Sequence, residues 1–365
     1  MIQAALVLFT LANLHAQVRY GGFIDFGYLY DPNSPSNMLF RDRATTPVVD
    51  QPNINMAALY LQKDASESSR WGMEVNLQAG KDSEGFGFSA VAPNLPGSKW
   101  LRHLGPTDLS YLAPVGSGLT IQGGIFGSLI GYDGLYAKDN LSYTWPWGAD
   151  YTPYLMMGVN ASYSFTKKFT GVFAVVNDYD HLADPNHVPS FAAQAAYKAS
   201  DRLNLKQTIL YGPHQSDTAV DYWRFLSDTI VERKTPRVTT AFEYQIGEER
   251  VAIANTRALW MSAQLPLHYN VHGPWSLTLR PEVAWDRDGR WTGSPQLIKA
   301  VTTTLEYRLP YRWTTTILRL EHRYDNSTGP GGGFYQDNTA ALTPNQHLLV
   351  VGLIFALDKP AQDHP

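Results

Sequence analysis

Eight charged side chains recur with one parity in three stretches of the chain: Arg280, Glu282 and Asp286, then Glu306 and Arg308, then Arg319, Glu321 and Arg323. In an extended strand, residues two apart share a face, so each stretch presents its charges to one side. Guanidinium beside carboxylate is not the equipment of a nucleophile and base. It is the equipment of a field, because mixed charges lining a narrow low-dielectric passage sort ions by sign. The signs are mixed, which predicts a field across the passage rather than a strong preference for anions or cations. The same pairs could instead neutralise one another and brace a wall, since an isolated buried charge is too costly to keep.

A second concentration lies between Gly127 and Ala149, where Tyr132, Asp133, Tyr136, Asp139, Tyr143, Trp145 and Trp147 crowd a stretch with no regular alternation. Rings that avoid both water and lipid need a protein-lined place, which predicts a loop folded inward as a constriction. Two other readings stay open, a cap over a mouth and a longer flanking strand.

Other chemistry is thin. The segment Asp178 to His187 has carboxylates and histidines close enough for a hard cation, but no EF-hand glycine or terminal glutamate, and reads as a solvated loop. Gly-x-Ser-x-Gly, His-Glu-x-x-His and Gly-x-x-x-x-Gly-Lys are all absent. A Ser and a His on neighbouring strands could still meet, as triads follow no sequence spacing, yet the expectation is no enzyme, no cofactor and no metal. With no cysteine, disulfides and zinc-thiolate sites are excluded. The tripeptides at Asn140, Asn160 and Asn326 fit a glycosylation acceptor but arise often by chance.

The elements that must carry these groups show a rhythm. From Val18 to Leu357, stretches of about ten residues with every second residue apolar are separated by gaps that alternate between long and short. Long gaps run from Asp31 to Pro52, Gly80 to Pro106, Gly127 to Ala149 and Asp325 to Asn345. Short ones include 64–70, 114–118, 166–168, 200–202, 234–237 and 310–312. Sixteen candidate strands result, among them 150–165, 238–246 and 253–265. One lapse occurs at 246–251, short where a long gap is due, and there the strand count is expected to fail.

No window is apolar for the roughly 20 residues of a spanning helix. Strands can cross instead, and aromatic placement separates a membrane barrel from a soluble sandwich. Trp71, Phe169, Trp275 and Trp313 follow short gaps, and Phe165, Tyr197 and Tyr307 precede them; Tyr28, Tyr30, Tyr211, Trp285 and Tyr324 mark the opposite strand ends. Two belts of rings are what two membrane interfaces ask for. The fold expected is all-β, a transmembrane antiparallel up-and-down β-barrel of about sixteen strands.

Gly21-Gly22-Phe23-Ile24-Asp25 and the stretch from Ser110 to Phe126, SYLAPVGSGLTIQGGIF, followed by Ile130-Gly131-Tyr132-Asp133 and Asn140-Leu141-Ser142-Tyr143, resemble the β-barrel porin-2 family, the OmpL-like porins. The resemblance runs from about Tyr20 to Leu357 and implies a pore-forming outer-membrane protein without naming a solute. The chain departs from the pattern at Ile125, where a basic residue is expected, and in the polar tail after an alternating Leu349, Val351, Leu353 and Phe355.

Together these features predict a signal peptide over 1–16, although its basic head is missing and an apolar extension of the first strand is the alternative. A barrel over 17–357 and a polar tail over 358–365 complete the chain. An even strand number puts both termini on the short-turn, periplasmic side of a Gram-negative outer membrane. The function expected is passive diffusion of small hydrophilic solutes, with lipid as the surrounding partner and a homo-oligomer left open. A net charge of −4 gives no reason to expect nucleic acid. Two alternatives are a sheath that holds a partner protein in its lumen and a surface-binding barrel that uses its long loops.

Overall fold

The computed structural model describes residues 18–85, 98–179, 181–183 and 186–358, so the expected signal peptide and all but the first residue of the polar tail lie outside the described residues. Sixteen antiparallel strands close into one barrel. They are β1 (Val18–Tyr30), β2 (Pro52–Lys63), β3 (Trp71–Ala79), β4 (Leu104–Ala113), β5 (Leu119–Gly127), β6 (Leu155–Ser164), β7 (Phe169–Val176) and β8 (Ser190–Ser200). The second half comprises β9 (Leu203–Gly212), β10 (Arg224–Lys234), β11 (Val238–Val251), β12 (Thr256–Gln264 continued by Leu267–His272), β13 (Trp275–Asp286), β14 (Gln296–Tyr311), β15 (Thr314–Ser327) and β16 (Asn345–Asp358). The first strand pairs with the last, from Gly21 opposite Asp358 to Tyr30 opposite Leu349. Closure leaves no edge, so every strand finds its hydrogen-bond partners inside the bilayer.

The alternation explains which face goes where. Along β13, Trp275, Leu277, Leu279, Val283 and Trp285 stand exposed on the outer wall while Ser276, Thr278, Arg280, Glu282 and Asp286 point inward and are buried. A soluble sandwich would invert this, with aliphatic side chains inside. Outside, rings gather at the strand ends: Trp71 lies 4.7 Å from Tyr111 and Trp275 4.7 Å from Tyr307 on the short-turn side, Tyr211 5.0 Å from Trp223 on the other. Rings favour the headgroup level, which fixes the barrel's height in the membrane.

Three boundaries differ from the sequence reading. β6 begins at Leu155, because Pro146 opens a short 3-10 turn over Trp147–Tyr151 that belongs to the preceding loop. β11 runs on to Val251, and the turn at 252–255 is short on the long-loop side. The lapse in the rhythm is therefore real but costs no strand, and the count holds at sixteen. β12 is interrupted at Leu265 and Pro266, where proline has no N–H to give the ladder. A short hairpin, Phe334–Gln336 against Asn338–Thr343, is the only regular structure within the last long loop.

Candidate functional site

The loop between β5 and β6, residues 128–154, folds into the barrel. Asn140 gives it an internal clasp, accepting from the Gly134 N–H at 2.8 Å and donating to the Gly134 carbonyl at 3.0 Å, and the Trp145 indole donates to the same carbonyl at 2.8 Å. Trp145 and Trp147 are each 1% exposed. A loop of this length with its own packed interior behaves as a compact unit rather than as a flexible flap.

The wall holds that unit by its backbone. The Arg319 guanidinium donates to the carbonyls of Ala137 at 2.6 Å, Ser142 at 3.0 Å and Asn140, while pairing with Glu306 at 2.8 Å. Arg280 donates to the Thr144 carbonyl at 2.7 Å, and Arg323 to the Trp145 carbonyl at 2.7 Å. In the opposite sense Glu321 accepts from the Tyr143 N–H at 2.7 Å and the Thr144 N–H at 3.0 Å, and Glu282 from the Trp147 N–H at 2.6 Å. Loop amides and carbonyls buried in a lumen must be partnered, and here charged side chains partner them.

At the seam where β1 meets β16 the loop inserts a ring. The Tyr143 hydroxyl donates to Asp25 at 2.7 Å and accepts from Asn55 at 2.8 Å. Its ring lies against Gly27 and Gly352, where any Cβ would collide with it. These two glycines clear the wall for one aromatic side chain. From outside, the first long loop adds a cover: Arg43 pairs with Asp150 at 2.9 Å and donates to the Trp145 carbonyl at 2.8 Å, and Phe40 meets Trp147 edge-on at 5.8 Å. That cover is itself tied down by Asp82, fully buried, which accepts from the Thr46 N–H at 2.7 Å.

A closed barrel with a segment folded into its lumen invites comparison with known proteins. The family model described as "Putative beta-barrel porin-2, OmpL-like" matches residues 17–357. The chain belongs to this porin family. Solved structures of similar fold include the outer-membrane channel DcaP of Acinetobacter baumannii, 11% identical with a TM-score of 0.58 over 94% of this chain and 97% of that one. The anion-selective porin from Comamonas acidovorans is 11% identical with a TM-score of 0.57, covering 94% and 99%. A trimer form of OmpT, an outer-membrane protein of Vibrio cholerae, is 11% identical with a TM-score of 0.56, covering 94% and 99%. No curated protein matches the sequence. The porin is an outer-membrane channel protein of bacteria.

The porin's loop does not fill the lumen evenly. It crosses from β8 and β9, where Gln194 and Thr208 donate to the Leu129 carbonyl, past β10 to β12, where Asp228 accepts from the Gly131 N–H, Glu243 from the Tyr132 N–H and Asp133 from Gln264. Elsewhere the inward polar side chains Ser110, Gln122, Ser162, Thr170 and Lys206 remain partly exposed. Toward the short turns the loop's tip overhangs two adjoining cavities of about 630 and 520 Å³ that share Asp139, Asn140, Leu141, His268 and Asn270. Arg308 lines the larger and Glu232 the smaller.

The residues singled out in the sequence thus separate into groups. Arg280, Glu282, Arg319, Glu321 and Arg323 meet Tyr143, Trp145 and Trp147 or their neighbours directly, so the ladder lies beneath the loop rather than across a passage from it. Asp286 instead caps the turn after β13, accepting from the N–H groups of Arg290, Trp291 and Thr292. Tyr136 packs edge-on at 4.8 Å against Phe23 of β1. Asp139 and Arg308 face the cavities. Residues not singled out include Asn55, Asn140, Arg43 and the glycines at 27 and 352. Asn140 was visible as part of a glycosylation-like tripeptide and of the stretch that carries the family resemblance, with no role attached to it, and the glycines carry no signal of their own.

Proposed function

We propose that this porin is a passive diffusion channel for small hydrophilic solutes, narrowed by the loop that carries Tyr132, Asp133, Tyr136, Asp139, Trp145 and Trp147. The carrying observation is the asymmetry of the lumen: the loop is hydrogen-bonded to Arg280, Arg319 and Arg323 on one side while Ser110, Gln122, Ser162, Thr170 and Lys206 on the inward faces of β4 to β9 stay partly exposed. Solute passes down that polar face and through the cavities near Asp139. The ladder of Arg280, Glu282, Glu306, Arg319, Glu321 and Arg323 serves as the loop's anchor, and the charges that sort ions are those still facing water, among them Lys206, Glu232, Asp139 and Arg308.

Several finer points belong to the same reading. Both termini lie on the short-turn side, the periplasm, as an even strand count requires. The chain works as a homo-oligomer, in keeping with a similar structure described in trimer form. It conducts rather than catalyses. A sheath around a partner protein is disfavoured by the occupied lumen, since Trp145, Trp147 and Tyr143 sit where such a partner would thread.

Single-channel recording in a planar bilayer with a salt gradient tests the reading. Stepwise conductance with a modest reversal potential is expected; a folded protein that never conducts would overturn it.

A further inference from the structure

Two loops on the long-loop side bring three metal-ligating side chains together. Asp178 and His181 lie in the loop after β7, and His214 lies in the loop after β9. The Nδ1 of His181 sits 2.5 Å from Asp178 Oδ2, and the Nδ1 of His214 sits 3.4 Å from the same oxygen. The two imidazoles stack with centroids 5.0 Å apart and 11° between planes, and each has its Nδ1 within 3.4 Å of Asp178 Oδ2. All three ligand atoms fall within 4.8 Å of one another, and this is the one such trio among the described residues.

We infer that Asp178, His181 and His214 form a binding site for a first-row transition-metal dication of the zinc class. Two bonds of about 2.1 Å meeting at a tetrahedral angle place their ligand atoms about 3.4 Å apart. The His214 to Asp178 separation already has that value; His181 must open by about 0.9 Å, within the reach of a side-chain rotation, to admit an ion in place of its hydrogen bond. The donor set decides the metal. Two imidazoles and one carboxylate suit zinc, nickel or copper, whereas calcium and magnesium ask for six or more oxygens. Asp178 is 2% exposed, and the two histidine side chains are each 15% exposed, so the carboxylate is shielded while the imidazoles keep some access to solvent.

The surroundings permit a dication. Arg224 lies over the ring of the adjacent Tyr179 at 4.6 Å, and its charge is met by Glu249 at 2.8 Å. The loop after β7 is closed by Asn177 donating to the Leu182 carbonyl at 2.8 Å, which holds Asp178 and His181 on one turn. β8 and β9 separate the two loops in the chain and pair with each other, so the loops leave neighbouring strand ends and a bound ion would clip them together beyond the sheet. The site is independent of the pore reading.

Calorimetric titration of the intact folded barrel in detergent with zinc chloride tests it. One equivalent of zinc per chain is expected, with no binding of calcium or magnesium at the same concentrations. His181→Ala and His214→Ala should each weaken zinc at least tenfold, while replacing the other stacked pair, His322 and His347 on the outer wall, should leave it unchanged. Copper loaded on the unaltered protein provides a readout that needs no variant: its resonance spectrum should show nitrogen coupling from two imidazoles. Failure to bind zinc, binding that survives both alanine substitutions, equal affinity for calcium, or a copper spectrum without nitrogen coupling would each overturn the proposal.

Discussion

Two arcs of the inner wall are written in the same alternating code and end in opposite states. On β13 to β15, Arg280, Arg319 and Arg323 are at most 1% exposed and their donors go to loop carbonyls. On β4 to β9, Ser110, Gln122, Thr170 and Lys206 face the same lumen and remain partly exposed. The difference is not in the strands. It lies in the inserted segment, which needs charged partners for its own buried backbone and takes its guanidinium donors from β13 to β15, with carboxylate acceptors there and on β10 and β11. An inward charge is therefore not by itself a pore charge.

Substitutions can break or sharpen that contrast. The largest effect on conductance should come from Arg319→Ala, which orphans three loop carbonyls and leaves Glu306 with Arg308 alone. We expect the loop to leave its seat, conductance to rise and stability to fall by about 3–5 kcal/mol, read from bilayer recordings and urea unfolding. A conductance unchanged by Arg319→Ala would mean that the ladder does not hold the constriction. Gly352→Leu should follow, expelling the Tyr143 ring at a cost of about 1–3 kcal/mol with a smaller rise in conductance. Lys206→Glu, on the open arc, should leave stability within about 0.5 kcal/mol and conductance nearly unchanged, yet move the reversal potential toward cations. If Arg323→Gln moves the reversal potential and Lys206→Glu does not, the roles of the two arcs are reversed.

The smallest effect on conductance belongs to Asp82, whose carboxyl burial holds well above the usual carboxylate range despite the hydrogen bond from Thr46. The folded barrel then keeps a proton that the unfolded chain releases above about pH 4. Stability should fall as pH rises from there, and Asp82→Asn, which preserves the acceptor for Thr46, should flatten that slope. Unfolding midpoints at acid and neutral pH, compared between the two proteins, check it.

Much of this was legible in the residues. Alternation such as that of Trp275 to Asp286 fixes which side meets lipid, and rings such as Trp71 and Trp313 fix the height of the barrel, because both follow from local geometry and solvent alone. The end of β11 was not, since Glu248, Glu249 and Arg250 break the apolar pattern where the strand continues beyond the lipid-facing region. Nor was the use of the ladder. Sequence displays side chains, whereas what Arg319 and Glu321 satisfy are main-chain groups of a loop more than 170 residues away. His214 escaped for the same reason, as its partners arrive from another loop.

The seat of Tyr143 is shared between the chain's two ends, Asp25 and Gly27 on the first strand and Gly352 on the last. Half of that seat is missing until the sixteenth strand docks on the first. A barrel still open during assembly thus offers the Tyr143 ring only part of its socket, and full seating of the constriction waits on closure, a built-in signature that the cylinder has been completed.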